Sequence, residues 1–90
     1  MYIHLGQDKV VRKEDVVGIF DLDTATISKH TRDYLTRAEK AGEVVTISME
    51  LPKSFIVCRD ETRKSGRVVY ISQISSATLL KRAGFLTGKG

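Results

Sequence analysis

An α+β domain is the fold class this sequence predicts: a mainly antiparallel sheet of about six short strands, one longer helix and one short C-terminal helix, in the order β-β-β-α-β-β-β-α. Three observations lead there. Short apolar runs of four to six residues recur along the chain, separated by polar or glycine-containing turns. One stretch of about sixteen residues switches to an apolar spacing of three and four. And 90 residues make one small domain, in which about 60–65% of the unfolded chain's surface becomes buried.

Tyr2, Ile3, His4 and Leu5 open the chain as a strand with Ile3 and Leu5 on one face. Gly6 to Lys9 form a turn and Val10, Val11 and Arg12 return, so residues 2–12 read as a tight hairpin. Lys13, Glu14 and Asp15 are a charged break. The run Val16-Val17-Gly18-Ile19-Phe20 is apolar on both faces, as a central or helix-covered strand would be. Gly18 within it suggests a bulge or a close approach. Asp21, Asp23 and Thr24 are good N-cap residues, and a helix over about 26–41 follows. Its apolar stripe is Ile27, Tyr34, Leu35, Ala38 and Ala41. Lys29, Asp33, Arg37 and Lys40 lie opposite, with Asp33 four residues from both Lys29 and Arg37. Gly42 stops the helix.

Val44 to Ile47 is the next strand, and residues 48–53 are a loop with the only proline, Pro52. Residues 54–59 and 67–72 form two paired strands around a polar loop at 60–66. Ser75 or Ser76 caps a short helix over about 76–83, with Leu79, Leu80 and Ala83 facing inward. Residues 1–86 are read as a single domain and 87–90 as a fraying tail.

Several function classes are disfavoured. No run approaches the ~20 apolar residues of a membrane span, nothing at the N-terminus reads as a signal peptide, and a cytoplasmic protein is expected. A single cysteine, Cys58, leaves no internal disulfide or multi-cysteine zinc site, and its apolar strand suits a small buried hydrophobe. Asp21 and Asp23 read as helix entry rather than a carboxylate pair. Gly84, Gly88 and Gly90 lack the strand-to-helix context of a phosphate loop. No catalytic residue, metal, cofactor or small-molecule substrate is expected.

Charge points to binding. Residues 1–50 hold seven basic and nine acidic residues, a net of −2; residues 51–90 hold eight and two, a net of +6. Lys53, Arg59, Arg63, Lys64 and Arg67 border one hairpin, with Arg59 and Arg67 near each other across the ladder and Arg63 and Lys64 at the tip. A basic hairpin suits phosphate contacts. A solubilising turn at a sheet edge is the alternative explanation of the same residues. No Cys/His finger, RNP-type aromatic pattern or helix-turn-helix pair is present. Large two-sided apolar sets at 16–20 and 55–58 need more cover than two helices give, so self-association is expected.

The segments Met1-Tyr2-Ile3-His4-Leu5-Gly6, Val16-Val17-Gly18-Ile19-Phe20-Asp21 and Pro52-Lys53-Ser54-Phe55-Ile56-Val57, then the strand from Val68 to Ile74 leading into Ser75, resemble the RemA/RemB extracellular-matrix regulatory family, closest to its RemB branch. The resemblance spans roughly residues 1–83. It implies a subunit like LytTR-type DNA-binding domains, assembly into a homo-oligomeric ring, and binding to double-stranded DNA to regulate biofilm matrix genes. A ring that binds a protein partner instead of DNA is the alternative. RemA-type proteins carry an arginine between the early strands where this chain has Asp15, with Arg12 and Lys13 nearby. They also carry an arginine-rich run before the strand at 54–59, where only Lys53 is basic here. The DNA-binding residues expected from hairpin and resemblance together are Arg12, Lys13, Lys53, Arg59, Arg63, Lys64 and Arg67.

Overall fold

The structure is a computed structural model that describes residues 1–22 and 28–84. Strands β1 (Tyr2–Gly6) and β2 (Lys9–Arg12) form an antiparallel hairpin, and a short 3-10 helix (Lys13–Asp15) follows. Then come β3 (Val16–Asp21), α1 (Lys29–Lys40), β4 (Val44–Thr46), β5 (Ser54–Arg59), β6 (Arg67–Ser72) and α2 (Ser76–Arg82).

The expected single sheet is in fact two. The hairpin is a sheet of its own, and β3-β5-β6-β4 is a four-stranded sheet in that order. β3 takes β5 as its partner, and the 3-10 helix separates it from β2. The larger sheet is mixed: β3–β5 and β5–β6 are antiparallel, whereas β4 runs parallel to β6.

Alternation sorts the apolar residues onto two faces. Ile56, Cys58, Val68 and Tyr70 meet Ile3 and Leu5 of the hairpin and Leu79 and Ala83 at α2. Phe55, Val57 and Val69 meet Ala38 on α1, with Tyr34 and Leu35 at the margin. Two buried hydroxyls tie these parts together: Ser72 Oγ donates to the Leu5 carbonyl and Ser54 Oγ to the Ile74 carbonyl, both at 2.7 Å. Arg82 reaches back to the His4 carbonyl at 2.9 Å, and Lys9 Nζ sits 4.8 Å from the centroid of Tyr70.

Local chemistry explains the helix ends. Ser28 caps α1 by accepting from the Thr31 N–H (3.1 Å), and Ser75 caps α2 by accepting from the Thr78 N–H (3.2 Å). Asp21 belongs to β3, paired with Ser54, so it is not the helix cap. Asp23, Thr24 and Ile27, like residues 85–90, lie outside the described residues. At the other end of α1, the Gly42 N–H donates to the Glu39 carbonyl and the Glu43 N–H to the Ala38 carbonyl. This paired closure needs the positive φ of Gly42, +75°, which a side chain would oppose. Ala41 is the exposed cap residue rather than part of the apolar stripe.

β3 departs most from expectation. It is an edge strand, not a central one. A register irregularity between Val16 and Gly18 places both Val16 and Ile19 on the hairpin face. Val17 and Phe20 line a groove on the other face, beside α1, and remain exposed. The Phe20 ring lies against Gly18, where an added Cβ would meet ring carbons at 2.7 Å, and stacks on Phe55 at 4.8 Å. No helix among the described residues is long and apolar enough to cross a membrane.

Candidate nucleic-acid interface

The 60–66 loop is built by its own polar groups. The Asp60 N–H donates to the Gly66 carbonyl, the Arg63 N–H to the Asp60 carbonyl and the Gly66 N–H to the Arg63 carbonyl. The Asp60 carboxylate also accepts from the Thr62 hydroxyl (2.6 Å) and the Thr62 N–H (3.0 Å). These bonds, the Thr62 hydroxyl's first, hold the Asp60 carboxyl below its ordinary range, with the nearby Arg63 adding to the effect.

Strand direction decides which expected site residues meet. β3 begins, β5 ends and β6 begins at one end of the large sheet, where Arg59 lies directly opposite Arg67. The α1–β4 turn closes over the same end, because Arg63 Nη1 donates to the Gly42 carbonyl at 3.1 Å and Arg67 Nε lies 3.3 Å from Glu43 Oε1. The 3-10 helix joins it too, since Arg59 Nη2 donates to the Glu14 carbonyl at 3.0 Å. Arg12, Lys13, Arg59, Arg63, Lys64 and Arg67 therefore share one end of the molecule. Lys53 does not. It precedes β5, about 20 Å from Arg59 along a six-residue strand. Lys53 therefore stands apart from the other six residues, at the opposite end of β5.

The cations also differ in freedom. Lys64 and Lys53 are exposed with no ion-pair partner among the described residues. Arg59 is oriented by a neutral carbonyl, which fixes its direction without cancelling its charge. Arg63 was expected at a protruding tip, but is half-buried and folded back onto Gly42 and Asp60 (Nε to Oδ2 3.4 Å). The reason is the carboxylate three residues earlier. Arg67 faces the buried Glu43 carboxylate, and Arg12 is 3.4 Å from Asp15. Acidic Glu14, Asp15, Glu43, Asp60 and Glu61 are thus interspersed with the basic residues. Two cations missed in the sequence belong beside this end: Arg37 and Lys40, in the last turn of α1. Arg37 borders a shallow cleft with Glu43 and Arg67. Their place on the polar helix face was the available signal.

Cys58 is buried beneath a cleft of about 370 Å³ between the hairpin and the basic end. Burial first, then the Asp15 carboxylate, pushes its thiol up to about 11. It is a packed, protonated group. No cluster of three or more His, Cys, Asp or Glu side chains suited to a metal occurs among the described residues.

No family model matches the chain. Among curated proteins, Extracellular matrix regulatory protein B of Bacillus subtilis (strain 168) is 40% identical over 86 residues, covering 96% of this chain and 94% of that protein. Identity at that level, over nearly the whole of both chains, establishes that this chain belongs to the RemA/RemB family of extracellular-matrix regulatory proteins.

Proposed function

We propose that this protein is a DNA-binding transcriptional regulator of extracellular-matrix (biofilm) genes, acting in the cytoplasm as a homo-oligomeric ring with a LytTR-like subunit. The name of the Bacillus subtilis relative supports the matrix-regulation part of the proposal. One observation carries the DNA-binding part: Arg59 and Arg67 stand side by side across the ladder, with Lys64 exposed on the loop that joins their strands. The Arg59 guanidinium, held by the Glu14 carbonyl, is a preorganised donor for phosphate oxygens, and Arg67 beside it faces the Glu43 carboxylate. Arg37 and Lys40 widen the basic surface, whereas Lys53 sits apart from it. Each subunit offers few contacts, and a ring raises their combined strength through effective concentration.

A second reading, a ring that binds a protein partner, is favoured by the acidic residues at the same end, Glu14, Asp15, Glu43, Asp60 and Glu61. Fluorescence anisotropy with an arbitrary labelled duplex separates the two. DNA binding predicts a steep loss of affinity with salt, and a shallower slope for Lys64→Ala. Binding that is absent at 50 mM salt, or unaltered by Lys64→Ala at every salt concentration, would favour the protein partner.

A further inference from the structure

One face of the large sheet carries an apolar strip that ends in two arginines. Side chains alternate along a strand, so Phe55, Val57 and Arg59 of β5 share the α1 face, with Ile71, Val69 and Arg67 of β6 beside them in register. At one end of the strip the Phe55 ring stacks on Phe20 at 4.8 Å and lies 6.3 Å from Tyr34. At the other end stand the two guanidinium groups. Four residues separate Phe55 from Arg59, about 13 Å of strand.

Two clefts that share Val17, Tyr34 and Val57 follow this strip. One, about 350 Å³, continues to Phe20, Phe55 and His30, and the other, about 600 Å³, continues to Arg59, Gly66 and Arg67. The shared walls make them one trough with an aromatic end and a cationic end, each part within the size range of small-molecule sites, about 300–1,000 Å³. Among the described residues, no carboxylate lines either part. Arg59 is held by the neutral Glu14 carbonyl and keeps its full charge, whereas Arg67 shares its charge with Glu43. The mouth of the trough is therefore positive.

Apolar surface joined to a localised positive charge selects an amphipathic anion. The trough lies on the face of the sheet, where strand N–H and C=O groups point sideways to their neighbours and offer no hydrogen bonds into it. A peptide's amides would lose water there without partners, whereas an acyl chain has no such groups to desolvate. A carboxylate head group matches a guanidinium fork. We propose that the trough binds a free medium-chain carboxylate, its chain along Val17, Tyr34 and Val57 toward the Phe20–Phe55 stack and its head group at Arg59 and Arg67. These are the arginines assigned to phosphate, so the bound carboxylate competes with duplex DNA. The competition rests on the DNA-binding reading; the site itself does not.

Isothermal titration of the full chain with hexanoate, octanoate and decanoate, below micelle-forming concentrations and without DNA, tests the site. Each pair of added methylenes should tighten binding about fourfold to fifteenfold, the span from half to full burial. Decyltrimethylammonium, with a comparable chain and the opposite charge, should bind about tenfold or more weakly than decanoate. Val17 is 71% exposed, so Val17→Asp should keep the parent's circular dichroism and lose decanoate binding. Arg59→Gln should keep the dependence on chain length and reduce the preference for the anion. Equal affinity for anion and cation, no dependence on chain length, parent-like binding by folded Val17→Asp, or an undiminished anion preference in Arg59→Gln would each overturn the site. Anisotropy of a labelled duplex at low salt then reads the competition, and decanoate should release the duplex. A duplex retained at saturating decanoate would overturn the competition and leave DNA binding standing. A chain that binds decanoate in this pattern but binds no duplex would sink the DNA reading and leave the site standing.

Discussion

Glu43→Gln sets two effects against each other at the basic end of the sheet. Glu43 is 5% exposed, and its Oε1 lies 3.3 Å from Nε of Arg67, whose side chain is half exposed. Breaking a fully buried pair costs about 3–5 kcal/mol, and an exposed pair contributes only about 0.2–1 kcal/mol. This pair is mixed, and glutamine keeps an acceptor oxygen for Arg67, so the expected loss is about 1 kcal/mol. In a domain of this size that lowers Tm by about 4–8 °C. DNA binding should move the other way. An Arg67 released from a carboxylate is a full cation for a phosphate, and each added contact steepens the log–log salt slope by about 0.9. At 0.1 M salt that is about an eightfold gain per contacting subunit. A thermal melt and a salt titration of duplex binding on the same preparation read both quantities. A lower Tm with duplex affinity unchanged or weaker at every salt concentration would refute the placement of Arg67 at phosphate. Arg67→Ala is the poorer test, because it strands a buried carboxylate.

Three further outcomes follow from named contacts. Arg63→Ala loses the bonds to Gly42 and Asp60 and should cost about 1 kcal/mol, whereas Lys64→Ala should stay within about 0.5 kcal/mol; indistinguishable melts would contradict the folded-back Arg63. Ser72→Ala removes the donor to the buried Leu5 carbonyl and should cost about 1–3 kcal/mol in urea unfolding, and a loss below 0.5 kcal/mol, roughly the level of a neutral surface change, would show that this bond does not hold the hairpin down. Cys58 favours its neutral thiol when folded, so its contribution is complete below pH 9.0 and is lost as pH rises toward about 11. Over that window the chain should lose about 2–3 kcal/mol more than Cys58→Ala does, and parallel pH profiles for the two would contradict the burial of the thiol.

The legible parts of the fold are those set by neighbouring residues. Alternation at Ile3 and Leu5, the polar break at 13–15, Gly42 after α1 and Ser75 before α2 each act within a few positions, and each element is found where that local chemistry puts it. Long-range pairing was not legible. Val44 to Thr46 is too short to announce a parallel partner more than twenty residues on. The run at 16–20 reads as central or helix-covered because both faces are apolar, but it is an edge strand whose bulge turns Val17 and Phe20 toward a groove beside α1. The basic cluster was legible as composition and in the facing of Arg59 and Arg67 across the ladder, but not in its acidic partners, the folded-back Arg63 or the place of Lys53. Glu43 and Glu14 come from 24 and 45 positions away to meet Arg67 and Arg59, and one six-residue strand carries Lys53 to the far end.

The most direct measurement is the native mass of the full chain with and without a duplex of about 40 base pairs, at 50 mM and 500 mM salt. The predicted result is one closed oligomer in the absence of DNA, a defined oligomer–duplex complex at 50 mM, and loss of that complex at 500 mM while the oligomer persists. A monomer at tens of micromolar, or an oligomer whose mass is unchanged by duplex at 50 mM, would contradict a DNA-binding ring.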